Sequence, residues 1–224
     1  GDSGNWDSTW QSWMWKRHAG FDCIAYKGDG VSGRQISHSM NKAVEMLWVK
    51  TRDSTENWIV GHKGLNGASS PWDYEIALNS NDQEGNNVNK WNDTAPSSTH
   101  FTLGNGDAVN KDGDDYIAML FASVDGISKV GYYDGQSSDL TVTFGFQPRF
   151  LIVKRADSTG DWNVFDTTRG LDATSGDKEL RLNDNSAQSN HEVGEPTSNG
   201  FTFACGGSHD TCSAGGKWIY YAHA

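Results

Sequence analysis

Apolar residues in this chain come in short runs that alternate with polar ones at a period of two, the spacing of a half-buried β-strand. The clearest run is Leu47-Trp48-Val49-Lys50-Thr51. A polar turn at Asp53-Ser54-Thr55 follows, then Trp58 and Val60 on the return, and the whole predicts a β-hairpin. Val49 and Trp58 are expected in its core. Lys50 alternates with Val49 and is expected to face outward, toward solvent or a neighbouring subunit. Comparable strand patterns occur at Phe21-Asp22-Cys23-Ile24-Ala25-Tyr26, where Cys23 reads as buried, and from Trp72 to Asn79, His100 to Leu103, Tyr116 to Ala122, Leu140 to Phe144, Lys178 to Asn183 and Lys217 to Ala224. Between them, Asn79 to Asn89 forms a long polar loop of the kind that is either functional or mobile. No stretch carries a convincing helical period.

The hairpin occurs twice. Leu47 to Trp58 returns as Leu151 to Trp162, with Lys50 matched to Lys154 at a spacing of 104 and seven of the twelve positions identical. The strand around Leu180 repeats at the same spacing, and Pro196-Thr197-Ser198 repeats Pro96-Ser97-Ser98 at a spacing of 100, which locates small insertions in loops. The expected fold is therefore all-β, a β-sandwich or jelly roll built from an internal duplication of about 100 residues. Its units are 20–124 and 125–224, after a lead-in at 1–19. Val153 and Trp162 join the expected core, and Lys154 is expected outside with Lys50. Trp13-Met14-Trp15 stands where Ile117 to Phe121 stands in the first unit, so the lead-in reads as the closing strand of a preceding unit. Trp13 and Trp15 share one face, as part of a core or as a surface on which a ligand stacks. Two small sandwiches in tandem and one larger sandwich both fit the pattern.

Composition sharpens this picture. Only 35% of the 224 residues are apolar, but 12% are aromatic, ten of them Trp, so large rings must supply much of the core. The net charge of −11 opposes binding to nucleic acid or to an anionic membrane. No apolar run is long enough to span a bilayer, and Gly1-Asp2-Ser3-Gly4-Asn5 lacks the basic and apolar regions of a secretory signal, as expected of a fragment or a processed form. Cys205 and Cys212 bracket a loop short enough for a cross-strand disulfide in an oxidising location. The competing reading is a metal site of Cys205, His209 and Cys212, which lacks a visible fourth ligand.

Three kinds of chemistry have candidates. The acidic loop from Gly104 to Asp115 offers Asp107, Asn110, Asp112 and Asp114 as oxygen ligands for calcium, but their spacing fails the EF-hand pattern, and a solvated turn is the better reading. Trp91 with Asn92 and Asp93, and Trp72 with Asp73, have the ring-plus-hydrogen-bonder composition of a sugar platform, which requires the rings to be exposed. For catalysis, no nucleophile elbow, zinc helix or phosphate loop occurs. Acid pairs such as Asp73 and Glu75 are expected by chance in so acidic a chain. Glycosidase carboxylates leave no short motif, so a polysaccharide depolymerase stays open as a third reading.

The ordered series Gly20-Phe21-Asp22, Tyr26, Gly28, His38, Trp91-Asn92-Asp93-Thr94 and Tyr116-Ile117-Ala118 resembles a repeated β-rich module in virion proteins of marine, cyanophage-like tailed phages. Gln147-Pro148, Phe165-Asp166-Thr167-Thr168-Arg169-Gly170 and Trp218-Ile219-Tyr220 are similar to that module's second half. The chain departs from it at Val44, where a Pro is usual, and in having Cys205 and Cys212. The resemblance implies a tail or tail-fibre protein of the virion, assembled as a homo-oligomer with other tail proteins and engaged in attachment, with no conserved chemistry and no cofactor beyond the candidate calcium. The expected function is thus a non-enzymatic structural and adhesion module. A stand-alone extracellular carbohydrate-binding domain is the alternative.

Overall fold

A computed structural model describes residues 12–171, 176–206 and 211–224. Its first half contains β1 (Phe21–Lys27), β2 (Arg34–Ser37), β3 (Met46–Thr51), β4 (Ile59–His62), β5 (Tyr74–Ala77), β6 (Gly85–Asn86), β7 (His100–Leu103) and β8 (Asp115–Phe121). The second contains β9 (Ser128–Asp134), β10 (Leu140–Thr143), β11 (Phe150–Arg155), β12 (Trp162–Asp166), β13 (Asp177–Arg181), β14 (Ser189–His191), β15 (Gly194–Thr197), β16 (Gly200–Phe203) and β17 (Lys217–His223). The only α-helices among the described residues are single turns, α1 (Val88–Trp91) and α2 (Asp107–Asn110). The protein is an all-β sandwich, as the alternation of apolar positions predicts.

The two halves share one strand order. The first sheet runs β1-β8-β3-β4-β5-β6 and the second β9-β17-β11-β12-β13-β14, all antiparallel. A small outer sheet covers each, β2-β7 on the first and β10-β16-β15 on the second. Local bonds recur as well. Trp58 N donates to Asn79 Oδ1 at 2.9 Å, and 104 residues on, Trp162 N donates to Asn183 Oδ1 at 2.7 Å. Leu78 N donates to Trp58 O, and Leu182 N to Trp162 O.

Both central sheets are buried on both faces, because they pack against each other. Leu47 and Val49 of β3 point into the first half's own core, with Ile36, Phe101 and Leu103 from the outer sheet. Leu151 and Val153 of β11 do the same in the second half, with Phe201 and Phe203. The opposite faces meet between the sheets, where Met46, Trp48, Val60 and Phe121 lie against Ile152, Val164, Ile219 and Tyr221. Equivalent faces are thus apposed, and four layers enclose three cores. Phe121 is the hub of the middle one. Its ring lies 4.9 Å from Trp48, 5.0 Å from Tyr221, 5.1 Å from Phe21 and 5.8 Å from Trp15.

This packing corrects several expectations. Trp162, Val49 and Val153 are buried, and Trp58 is half-buried against the middle core. Lys154, expected outside, is fully buried, because its face of β11 is the one turned toward the first sheet. Its Nζ donates to Arg155 O, burial pushes its pKa down to about 8, and Asp161, Asp82 and Glu84 nearby favour its charge. Lys50 is half-buried, its Nζ donating to Thr51 O and Ser54 O. Cys23 is exposed, because Phe21 and Asp22 take the covered positions at that end of β1. Residues 12–17 form no strand, yet Trp13 and Trp15 do share a side, packed on the middle core while Met14 is 93% exposed. Asp22 anchors this segment by an ion pair with Arg17.

A titratable group is sealed between the halves. His62 of β4 is buried, with Gly64 N donating to its Nδ1 at 3.0 Å, so Nε2 carries the proton and faces Tyr220 O of β17 at 3.3 Å. Burial, the largest influence, drives its pKa down to about 3.

Two outcomes follow from this shared core. Phe121→Ala is expected to cost about 3–5 kcal/mol, and the wild-type protein should unfold in one transition, with tryptophan fluorescence and circular dichroism coincident in a urea titration. Below pH about 6.5 the unfolded chain binds a proton that buried His62 refuses until about pH 3. Stability therefore falls as pH drops, with a His62 share of about 1.4 kcal/mol between pH 7.5 and 5.5. His62→Gln should remove that share, read as a shallower change of urea midpoint with pH.

Candidate functional site

A cleft with a volume of about 250 Å³ opens at one end of the middle core. Its apolar wall is Trp13, Trp15 and Phe150, and its polar wall is Arg149, Asp166, Thr167, Thr168 and His223. Local backbone bonds set the polar wall in place. Arg149 N donates to His223 O at 2.8 Å, and Thr167 N donates to Arg149 O at 3.0 Å, so the ends of β11, β12 and β17 are held side by side. On the apolar side Trp13 and Trp15 stand 5.9 Å and 6.0 Å from the Phe150 ring.

Asp166 is nearly buried and is held by Arg169, whose backbone N and Nε both donate to it, at 2.9 and 2.5 Å. The Arg169 Nη2 donates to Val164 O. Gly170 closes the turn with φ 115°, a conformation that favours glycine. Asp166 is the only carboxylate side chain among the described residues lining the cleft. A two-carboxylate glycosidase arrangement would need a second. What the cleft does offer is flat rings facing hydroxyl, guanidinium and imidazole groups, a combination suited to binding polyhydroxylated ligands.

The sites expected from sequence fall elsewhere. Trp72 and Trp91 are buried at 6% and 1% exposure, edge to face with centroids 6.2 Å apart, and cannot present a platform. They close over Gly61, where a Cβ would lie 2.5 Å from Trp72 Cζ3. Asn92 and Asp93 have φ of 53° and 47° and form the left-handed exit of α1, with Asn92 Oδ1 accepting from Ser32 Oγ. Asp73 belongs to a 3₁₀ turn whose carbonyl accepts from Asn87 N. These polar residues make turns around a buried aromatic pair.

The acidic loop does not gather calcium ligands either. Asn110 is fully buried, its Nδ2 donating to Asp29 Oδ1, Val31 O and Gly104 O, and its Oδ1 accepting from Asp29 N. Asp107 begins α2, and Asp114 pairs with Lys111. Asp112 lies beside Gly30 in the facing loop. Among the described residues no three His, Cys, Asp or Glu side chains form a metal cluster. Cys205 and Cys212 are joined in a disulfide with Cα atoms 5.3 Å apart, so neither offers a thiolate to a metal; His209 lies outside the described residues.

Sequence reasoning missed Arg149, Phe150, Asp166, Thr167, Thr168 and His223. The available signal was the contrast between halves. Asp166-Thr167-Thr168 stands where the first half has His62-Lys63-Gly64, at the spacing of 104.

Fold and cleft define a four-layer, all-β protein with an aromatic-walled surface groove. The chain belongs to the family described as Domain of unknown function (DUF7483), which matches it over residues 3–224. That match runs through the segment carrying Trp13 and Trp15 and through both halves. No curated protein matches the chain.

The buried tryptophan pair gives a direct check on this correction. Gly61→Ala is expected to destabilise the protein by about 1–3 kcal/mol through overpacking, seen as a lowered urea midpoint.

Proposed function

We propose that this chain is a non-enzymatic structural and adhesion module of a phage tail or tail fibre, which contacts host-surface saccharide through the cleft at Trp13, Trp15 and Phe150. The observation that carries the reading is the composition of that cleft. Three rings from two separate segments face Arg149, Thr167, Thr168 and His223 across a space of about 250 Å³, large enough for a sugar residue. The resemblance of the chain to repeated modules of phage virion proteins supports placing it in a virion, assembled as a homo-oligomer with other tail proteins. The apposed central sheets suit that role, since a ligand held at the end of a closed core is backed by strands rather than by a mobile loop. Binding through this cleft involves no cofactor. The net charge of −11 disfavours polyanionic ligands and favours neutral or basic glycans.

The test is a glycan array probed with the purified chain, followed by calorimetry on the best ligand. A neutral saccharide should bind, and Trp13→Ala should weaken it at least tenfold, about 1.4 kcal/mol, at a temperature where circular dichroism shows the variant folded. No retained glycan, or binding indifferent to Trp13, would overturn the reading. Light scattering on the same sample checks the oligomer, expected to be larger than a monomer.

A further inference from the structure

The two halves carry one pocket twice. In the second half a cavity of about 80 Å³ lies along β13, lined by Glu179, Leu180, Arg181, Ser186, Ala187 and Ser189. All six positions have counterparts 104 residues earlier: Glu75, Ile76, Ala77, Asp82, Gln83 and Gly85. Every one of those lines a cavity in the first half, and there the volume is about 230 Å³.

The exchange that matters chemically is Arg181 for Ala77. In the second half the Arg181 guanidinium donates through Nε to Glu179 Oε1 at 2.7 Å and through Nη1 to Asp161 Oδ2 at 2.9 Å, with Asp184 Oδ2 at 3.7 Å. The first half keeps a carboxylate, Glu75, at the position of Glu179, but Ala77 brings no cation to it. Asn87 Nδ2 donates to Glu75 Oε1 at 2.9 Å, and Lys90 Nζ lies 3.9 Å from that same oxygen. Glu75 Oε2 has no partner among the described residues. Glu56 and Asp82 line the same cavity, in which Lys90 is the only cation among the described lining residues, although Asp82 also lies near the buried Lys154; Ile59, Ile76 and Ala108 give it apolar walls.

We propose that the first-half pocket binds an external guanidinium, the arginine side chain of a partner polypeptide, in the place that Arg181 fills from within the second half. The second half acts as an internal template, in which the same pocket is occupied by a guanidinium on the equivalent carboxylate. Arginine fits better than lysine, because a planar fork can donate to Glu75 while its faces rest on the apolar walls; an ammonium brings only a point charge. This site is separate from the saccharide cleft and does not depend on it.

The experiment titrates the isotope-labelled chain with N-acetyl-arginine amide, using N-acetyl-lysine amide as the control, and follows amide shifts by NMR. Shifts are expected at Glu75, Ala77 and Gly85, fitting one site, with the lysine probe at least fivefold weaker. Ala77→Arg, which copies the second half, should abolish the response while its circular dichroism stays that of the wild type. Glu75→Gln should weaken binding at least fivefold. Arg181→Ala should open a second site, with shifts around Glu179. An Ala77→Arg protein that responds like the wild type, equal binding of the two probes, or no response in the wild type would each overturn the proposal. If Ala77→Arg fails to fold, the Glu75→Gln titration decides alone.

Discussion

The structure depends on burying an aromatic face between two sheets. Each six-stranded sheet already has one covered face, supplied by its small outer sheet, but the other presents rings and branched side chains too extensive to leave in water. Those two faces find each other. A buried ring of the size of Phe121 contributes a few kcal/mol on removal from water, and this one touches rings from both sheets and from the segment ahead of β1. The halves are therefore linked energetically as well as covalently, and neither central sheet has a face to spare for a separate existence.

The seam explains why equivalent positions have different chemistry. His62 and Asp166 occupy matched places at the ends of β4 and β12. One is sealed against Tyr220 and held neutral, while the other borders an open cleft and is paired with Arg169. Lys50 and Lys154 also match, yet only Lys154 is fully enclosed, with the loop carrying Asp82 and Glu84 beside it. The backbone of that loop is tied across the seam, Glu84 N to Ala156 O and Gly160 N to Asn81 O. Equal sequence does not give equal environment when the halves cover each other at different places.

Much of the fold was legible because β-strand alternation and turn residues are local signals. The hairpin with Val49, Trp58, Val153 and Trp162 was readable in both copies. What alternation cannot carry is the identity of the layer covering each face. Leu47-Trp48-Val49 is apolar on both sides, which admitted either arrangement of units and left Lys154 assigned to the outside, toward solvent or a neighbouring subunit. Trp72 and Trp91 misled for a related reason. A tryptophan beside Asn and Asp has the composition of a sugar platform, but here the polar neighbours form the left-handed exit of α1 and the rings turn inward over Gly61. The candidate cleft draws on residues from Trp13 to His223, distant in sequence and joined only when β11, β12 and β17 align.

The apposition of equivalent faces also sets a limit on growth. When the matching faces of two like units cover each other, even out of exact symmetry, neither is left for a third unit. A solenoid must keep one face of every unit open for the next, whereas here both members of the pair have used theirs. The seam inside this chain is thus complete with two units. Any longer assembly that contains it must be joined through some other surface than the one its two halves share.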